Sequence, residues 1–192
     1  MKITVYGAAS TSISEKYVAA VEKLGEKIAE RGHELVFGGG KTGLMGAAAR
    51  GVKAKGGRIT GIVPKFFKEK EVEILFDECD ENIWTEDMYE RKRLLEELCD
   101  AFVITPGGMG TYDEFFGVVT TKQLDRHFKP IAVLNVDGFY DKLMDFIRHA
   151  VDEKFIKPHC FDLFKAFDSA EGICEYLEEE LGKKSEKDYK FI

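Results

Sequence analysis

The sequence predicts a doubly wound α/β fold, a Rossmann-like parallel sheet flanked by helices on both faces. Three observations carry this: short, near-continuously apolar runs recur along the chain, amphipathic helical stretches separate them, and Gly, Pro or polar breaks follow each run. Ile3 to Tyr6, Leu35 to Phe37, Ile59 to Val63, Ala101 to Ile104 and Ile131 to Leu134 read as strands, too short for helices and apolar throughout. Tyr17, Val21, Leu24 and Ile28 share one helical face after a capping-box match at Ser12-x-x-Glu15. Gly43 to Lys55 is a second helix whose small residues Gly46, Ala47 and Ala48 allow close approach to the sheet. A third starts at Thr85, Glu86 and Asp87, with acids where the helix dipole favours them, and runs to about Leu98. Thr111 to Leu124, Tyr140 to Val151 and Ala170 to Leu181 complete the set.

A chain of 192 residues, 44% hydrophobic and 33% charged, suits one soluble domain with a sizeable core. That domain is expected over residues 1–181, with 182–192 a charged, lysine-rich tail whose end, Tyr189 to Ile192, turns apolar. Lys65 to Glu81 mixes charge with Phe66, Phe67, Ile74 and Leu75 and reads as a loop packing over a site or a partner subunit; with Trp84 these residues are the motive for expecting a homodimer. No apolar run approaches bilayer-spanning length and no signal-peptide pattern follows Met1, so a cytoplasmic protein without membrane contact is expected. The net charge of −7 argues against a nucleic-acid surface. Cys79, Cys99, Cys160 and Cys174 lack C-x-x-C spacing, and His33, His127, His149 and His159 lack ligand spacing, so no metal site is expected.

The most informative stretch is Thr105-Pro106-Gly107-Gly108-Met109-Gly110-Thr111-Tyr112-Asp113-Glu114. A strand emptying into three glycines and a helix start offers bare N–H groups and a positive helix end, which suits a phosphate, with Glu114 one turn beyond. The same Thr111-x-x-Glu114 also satisfies a capping box. A second cluster, Gly38-Gly39-Gly40-Lys41-Thr42-Gly43-Leu44-Met45-Gly46, mimics both a dinucleotide fingerprint and the end of a Walker A loop. A Walker A loop needs glycine where Leu35 stands, and a dinucleotide site wants an acid about 20 residues on, where the next strand instead ends in Pro64-Lys65. Both clusters follow strands, so both loops open on the carboxyl edge of the sheet, where α/β ligands bind, making Gly39, Gly40 and Gly43 candidate ligand contacts. Met88-Tyr89-Glu90-Arg91-Lys92-Arg93 supplies cations: Arg91 as the fork that holds phosphate or ribose oxygens, Arg93 as a solvated helix face.

These motifs together, with Leu134-Asn135-Val136-Asp137-Gly138-Phe139-Tyr140, resemble the Lonely Guy proteins over Ile3 to Ile156. These are cytokinin riboside monophosphate phosphoribohydrolases, often labelled lysine decarboxylases. The resemblance implies hydrolysis of the N-glycosidic bond of an adenosine-type nucleoside 5′-monophosphate, with no cofactor and a homodimer whose site lies near the subunit interface. It implies catalytic roles for Arg91 and Glu114, and substrate-binding roles for Met88, Lys92, Gly107, Gly108, Met109, Gly110, Thr111, Tyr112, Asp113 and Thr120. The first loop departs from the family's Cys-Gly-Ser-Ser, reading Gly7-Ala8-Ala9-Ser10 and leaving Ser10 as the hydroxyl at the matching position. Met88-Tyr89-Glu90-Arg91-Lys92 replaces Met-His-x-Arg-Lys, and Thr121-Lys122-Gln123-Leu124 replaces Trp-Ala-Gln-Leu. Two alternatives share part of this chemistry. A carrier for a phosphorylated cofactor such as molybdenum cofactor needs the glycine loops without a hydrolytic pair, and a PLP decarboxylase needs a Schiff-base lysine, for which Lys41 and Lys92 in a phosphate site are poor candidates.

Overall fold

A computed structural model describes residues 1–69 and 74–188. Seven strands form one parallel sheet: β1 (Lys2–Tyr6), β2 (Glu34–Phe37), β3 (Ile59–Pro64), β4 (Glu81–Thr85), β5 (Ala101–Ile104), β6 (Ile131–Leu134) and β7 (Lys165–Phe167). Their spatial order is β4-β3-β2-β1-β5-β6-β7. The five strands expected from sequence are the inner five, buried on both faces. The two outer strands, β4 and β7, carry polar or exposed positions and were not expected.

The helices are α1 (Glu15–Glu30), α2 (Gly43–Ala54), α3 (Lys65–Glu69), α4 (Met88–Glu97), α5 (Met109–Gln123), α6 (Asp141–Asp152) and α7 (Ala170–Asp188). Strand side chains alternate between two cores, as the pleat requires. Ile3, Val5, Leu35, Phe37, Ala101 and Val103 pack beneath α1, α2 and α7. Thr4 aside, the opposite face presents Tyr6, Val36, Phe102 and Ile104 to α4, α5 and α6. Among the described residues no helix is long and apolar enough to cross a membrane.

Several boundaries differ from the sequence reading for local reasons. The expected Ser12-x-x-Glu15 box does not form: Ser14 precedes α1, and the Ser12 N–H donates to Ser10 Oγ instead. Thr85 closes β4, so the third long helix begins after Asp87, whose carboxylate accepts the Glu90 N–H at 2.8 Å. The expected loop Lys65 to Glu81 opens with α3 and ends on β4, and its residues 70–73 lie outside the described residues. Helix α7 runs past Leu181 to Asp188, while Tyr189 to Ile192, the expected apolar end, also lie outside them.

The small residues of α2 pack into the core with the strands, and its glycine Gly51 also lets it meet α1. A Cβ on Gly51 would strike the Glu22 carbonyl, and one on Gly25 would strike the Ala48 carbonyl, so α1 and α2 touch backbone to backbone. Neither obstacle is a side chain that can turn aside. Gly51→Ala is therefore expected to destabilise the fold by about 1–3 kcal/mol through overpacking, measured as a lower urea midpoint at unchanged slope.

Candidate active site

The chain winds outward from β1 through β2, β3 and β4, then crosses back to lay β5, β6 and β7 on the other side. The topological switch point thus lies between β1 and β5, whose ends pair as Tyr6 with Ile104. A cleft of about 350 Å³ opens there, lined by Gly7, Ala8, Ala9, Ser10, Met45, Arg91, Gly108, Gly110, Thr111 and Glu114.

Each wall has a local cause. The loop after β1 is tied down by Ala8 N–H to the Pro106 carbonyl at 3.3 Å, and its carbonyls at Ala8 and Ala9 accept the Leu44 N–H and the Thr42 hydroxyl, both at 2.8 Å. The Pro-Gly-Gly loop after β5 is held by Thr105, which donates its N–H and hydroxyl to the Tyr6 carbonyl, and by Tyr140, whose hydroxyl donates to the Thr105 carbonyl at 2.7 Å. Helix α5 begins at Met109 with Gly108 as its cap residue and no side-chain cap. Thr111 is the third residue of the helix, almost fully buried and packed against Gly107, so the capping-box reading of Thr111-x-x-Glu114 is overturned. Gly108, Gly110 and Thr111 place the start of α5 in the cleft wall, and a helix start carries unpaired N–H groups and the positive end of the helix dipole.

Glu114, one turn further, meets Arg91 from α4: Nη1 stands 3.7 Å from Oε1, with the two side chains only 8% and 17% exposed. Arg91 Nε donates to the Ile62 carbonyl at 3.3 Å, and the Phe67 ring covers the guanidinium with its centroid 5.8 Å from Cζ. Below the pair, Tyr6 stacks on Phe102. Burial, and then the charge of Glu114, holds the Tyr6 phenol protonated well above its ordinary range. Among the described residues its hydroxyl finds no hydrogen-bond partner.

Of the candidates named from sequence, the structure brings Arg91, Glu114, Ser10, Gly108, Gly110 and Thr111 into one cleft. Gly107 lies just behind it, beside a second hollow lined by Ile13, Tyr17 and Phe139. Lys92 reaches from α4 to the Asp113 carbonyl and carboxylate at 3.2 and 3.1 Å, bracing the two helices at the flank. Met109, Tyr112, Asp113 and Thr120 line a separate groove of about 670 Å³ along the outer side of α5. Met88 begins α4, exposed and outside the cleft lining. Gly39, Gly40 and Gly43 do not line it either. The Gly39 carbonyl accepts the Phe76 N–H, Gly40 bridges to Leu75, and Lys41 N–H donates to the Ile74 carbonyl, so the chain itself occupies this glycine loop. Gly39, at φ +83°, lies where a Cβ would strike Val63, and Gly43 lies where one would strike the Ala8 carbonyl. Sequence reasoning passed over Gly7, Ala8, Ala9 and Met45 as lining residues; the signal was the end of the first strand, which in this topology always borders the switch point. Arg93 pairs with Glu97 at 2.7 Å on a solvated face, as expected.

Fold and cleft together define a doubly wound α/β protein with an uncapped helix N-terminus at its switch point, beside a buried guanidinium paired with a half-buried carboxylate. Residues 45–177 match the family described as "Possible lysine decarboxylase". The chain is 37% identical over 178 residues to the probable cytokinin riboside 5′-monophosphate phosphoribohydrolase LOGL5 of Oryza sativa subsp. japonica, covering 93% of this chain and 72% of that protein. It is 37% identical over 182 residues to the cytokinin riboside 5′-monophosphate phosphoribohydrolase LOG2 of Arabidopsis thaliana, covering 95% and 84%. This chain belongs to the family of these proteins. The molybdenum cofactor carrier protein of Chlamydomonas reinhardtii shares the fold, with a TM-score of 0.69 at 22% identity over 94% of this chain and 98% of that one.

The unpartnered Tyr6 hydroxyl yields a stability prediction. Tyr6→Phe removes a buried donor that makes no bond, so stability is expected to hold or rise by up to about 1 kcal/mol, read by chemical denaturation. A loss of that size or more shows that the hydroxyl is satisfied in solution.

Proposed function

We propose that this protein hydrolyses the N-glycosidic bond of an adenosine-type nucleoside 5′-monophosphate, a cytokinin riboside monophosphate or AMP, to the free base and ribose 5-phosphate. The observation that carries this reading is the Arg91–Glu114 pair, buried at 3.7 Å beside the uncapped start of α5. The names of the plant relatives point to the same reaction.

In this reading the phosphate rests on the first-turn N–H groups of α5, with Gly108 and Gly110 leaving the approach open and the Ser10 hydroxyl opposite. The bond from C1′ to the base breaks with its electron pair going to the base, and positive charge builds on the sugar as in glycoside hydrolysis. The Glu114 carboxylate stabilises that charge and orients the water whose oxygen joins C1′, while the water's proton passes on to the departing base. Arg91 fixes sugar and phosphate oxygens through the N–H groups of Nη1, the nitrogen that stands toward Glu114. Lys92 and Asp113 set the spacing of α4 and α5 around them. The chemistry asks for no metal or organic cofactor.

Among the described residues the decarboxylase reading finds no lysine at the cleft: Lys41 is paired with Asp77 and Lys92 with Asp113, and neither lines it. A carrier of this fold would need no carboxylate–guanidinium pair at the cleft floor.

The protein acts as a cytoplasmic homodimer in this reading. Met109 and Phe116 stand exposed on α5, along the groove that holds Thr120, with Leu124 exposed just past the helix, and a second copy laid there would bring Thr120 into use beside the cleft. Ile74 and Trp84 are exposed as well, whereas Phe67 is taken up by Arg91.

Incubation with AMP is expected to release adenine without added metal and unchanged by chelator, and far less from adenosine, because phosphate binding energy is lost. Glu114→Gln and Arg91→Ala should each lower turnover by about 10² or more. Equal efficiency on nucleoside and monophosphate, or near-normal turnover in either variant, refutes this mechanism. Light scattering tests the dimer, and Phe116→Asp on the α5 face should yield monomers with reduced activity.

A further inference from the structure

Gly38, directly after strand β2, lies against the guanidinium of Arg91. A Cβ at this position would overlap Nη2, approach Cζ to 3.1 Å and Met45 Sδ to 3.3 Å. Unlike Gly39, Gly38 has no left-handed φ, so the obstacle to a side chain there is the space above it and not the φ angle. The Phe67 ring also lies over the guanidinium, its centroid 5.8 Å from Cζ, and Nε donates to the Ile62 carbonyl.

We propose that Gly38 is a positioning residue whose missing side chain forms the floor of a slot, roofed by Phe67, that aims Arg91 Nη1 at Glu114 and the cleft. The proposal rests on the reading of Arg91 as a group that touches substrate. The strand beneath is held on both sides, β2 pairing with β1 and β3, so an added methyl moves the arginine rather than the sheet. A displaced guanidinium loses the Ile62 carbonyl and its station opposite Glu114 while the fold persists. The three consecutive glycines then have separate duties: Gly38 clears Arg91, Gly39 clears Val63, and Gly40 bridges to Leu75.

Gly38→Ala in the wild-type and Arg91→Ala backgrounds tests this. In the wild type, kcat for adenine release from AMP is expected to fall about tenfold to a hundredfold, with KM changing less, since small misplacements of a catalytic group have effects of this size. The thermal midpoint is expected to fall in the wild-type background and to stay or rise in Arg91→Ala, where the slot is vacant and alanine only restricts the unfolded chain. A near-wild-type kcat, or the same midpoint shift in both backgrounds, overturns the proposal. If wild-type protein releases no adenine, the functional reading fails, and the midpoint comparison still decides whether Gly38 holds Arg91 in place.

Discussion

Keeping two opposite charges almost out of water at the end of a sheet is the constraint around which this molecule is arranged. A buried guanidinium or carboxylate alone is costly, and removing one partner of such a pair typically costs about 3–5 kcal/mol because the other is left uncompensated. Arg91 and Glu114 come from helices on the same face of the sheet, and the pair exists only if both helices start at fixed points. The Asp87 cap fixes one start and the glycine cap at Gly108 fixes the other. Leaving the second start without a side-chain cap costs a little helix stability and gives an anion access to the helix end.

The inner sheet was legible because buried parallel strands write themselves as continuous apolar runs. Ala101–Ile104 and Ile131–Leu134 fall where the pattern puts them. β4 was not legible: Glu81 and Asn82 make it polar at one end, and the charged stretch before it hides the alternation. β7 is three residues long, below the reach of any periodicity. Arg91 and Glu114 stood out as residue types beside glycine loops, but their contact is a product of helix packing that sequence spacing does not encode. The second glycine cluster reads two ways from sequence because the need for a bare backbone has two sources, an approaching ligand or an approaching side chain. Around Gly38 to Gly40 it is the protein's own Arg91, Val63 and Leu75 that approach.

Shared architecture does not decide what the cleft does. A carrier protein superimposes on this chain along nearly its whole length, and the family description names a third activity. In the function proposed above, the decisive groups are small in mass: one carboxylate, one guanidinium, and the ring and glycine that lie against the latter.

The two outer strands have a consequence for how copies of this molecule can meet. An unpaired strand edge is a template for adding another chain, and proteins blunt it with charge and brevity. β4 carries Glu81, tied to Arg58 at 3.2 Å, and Trp84 under the Lys68 ammonium, while β7 offers only Lys165, Ala166 and Phe167. Neither border invites continuous sheet growth from one molecule into the next. Encounters between copies are thereby steered toward side-chain surfaces on the helices, where recognition depends on shape and can stop at a closed, symmetric number of subunits instead of running on as a fibre.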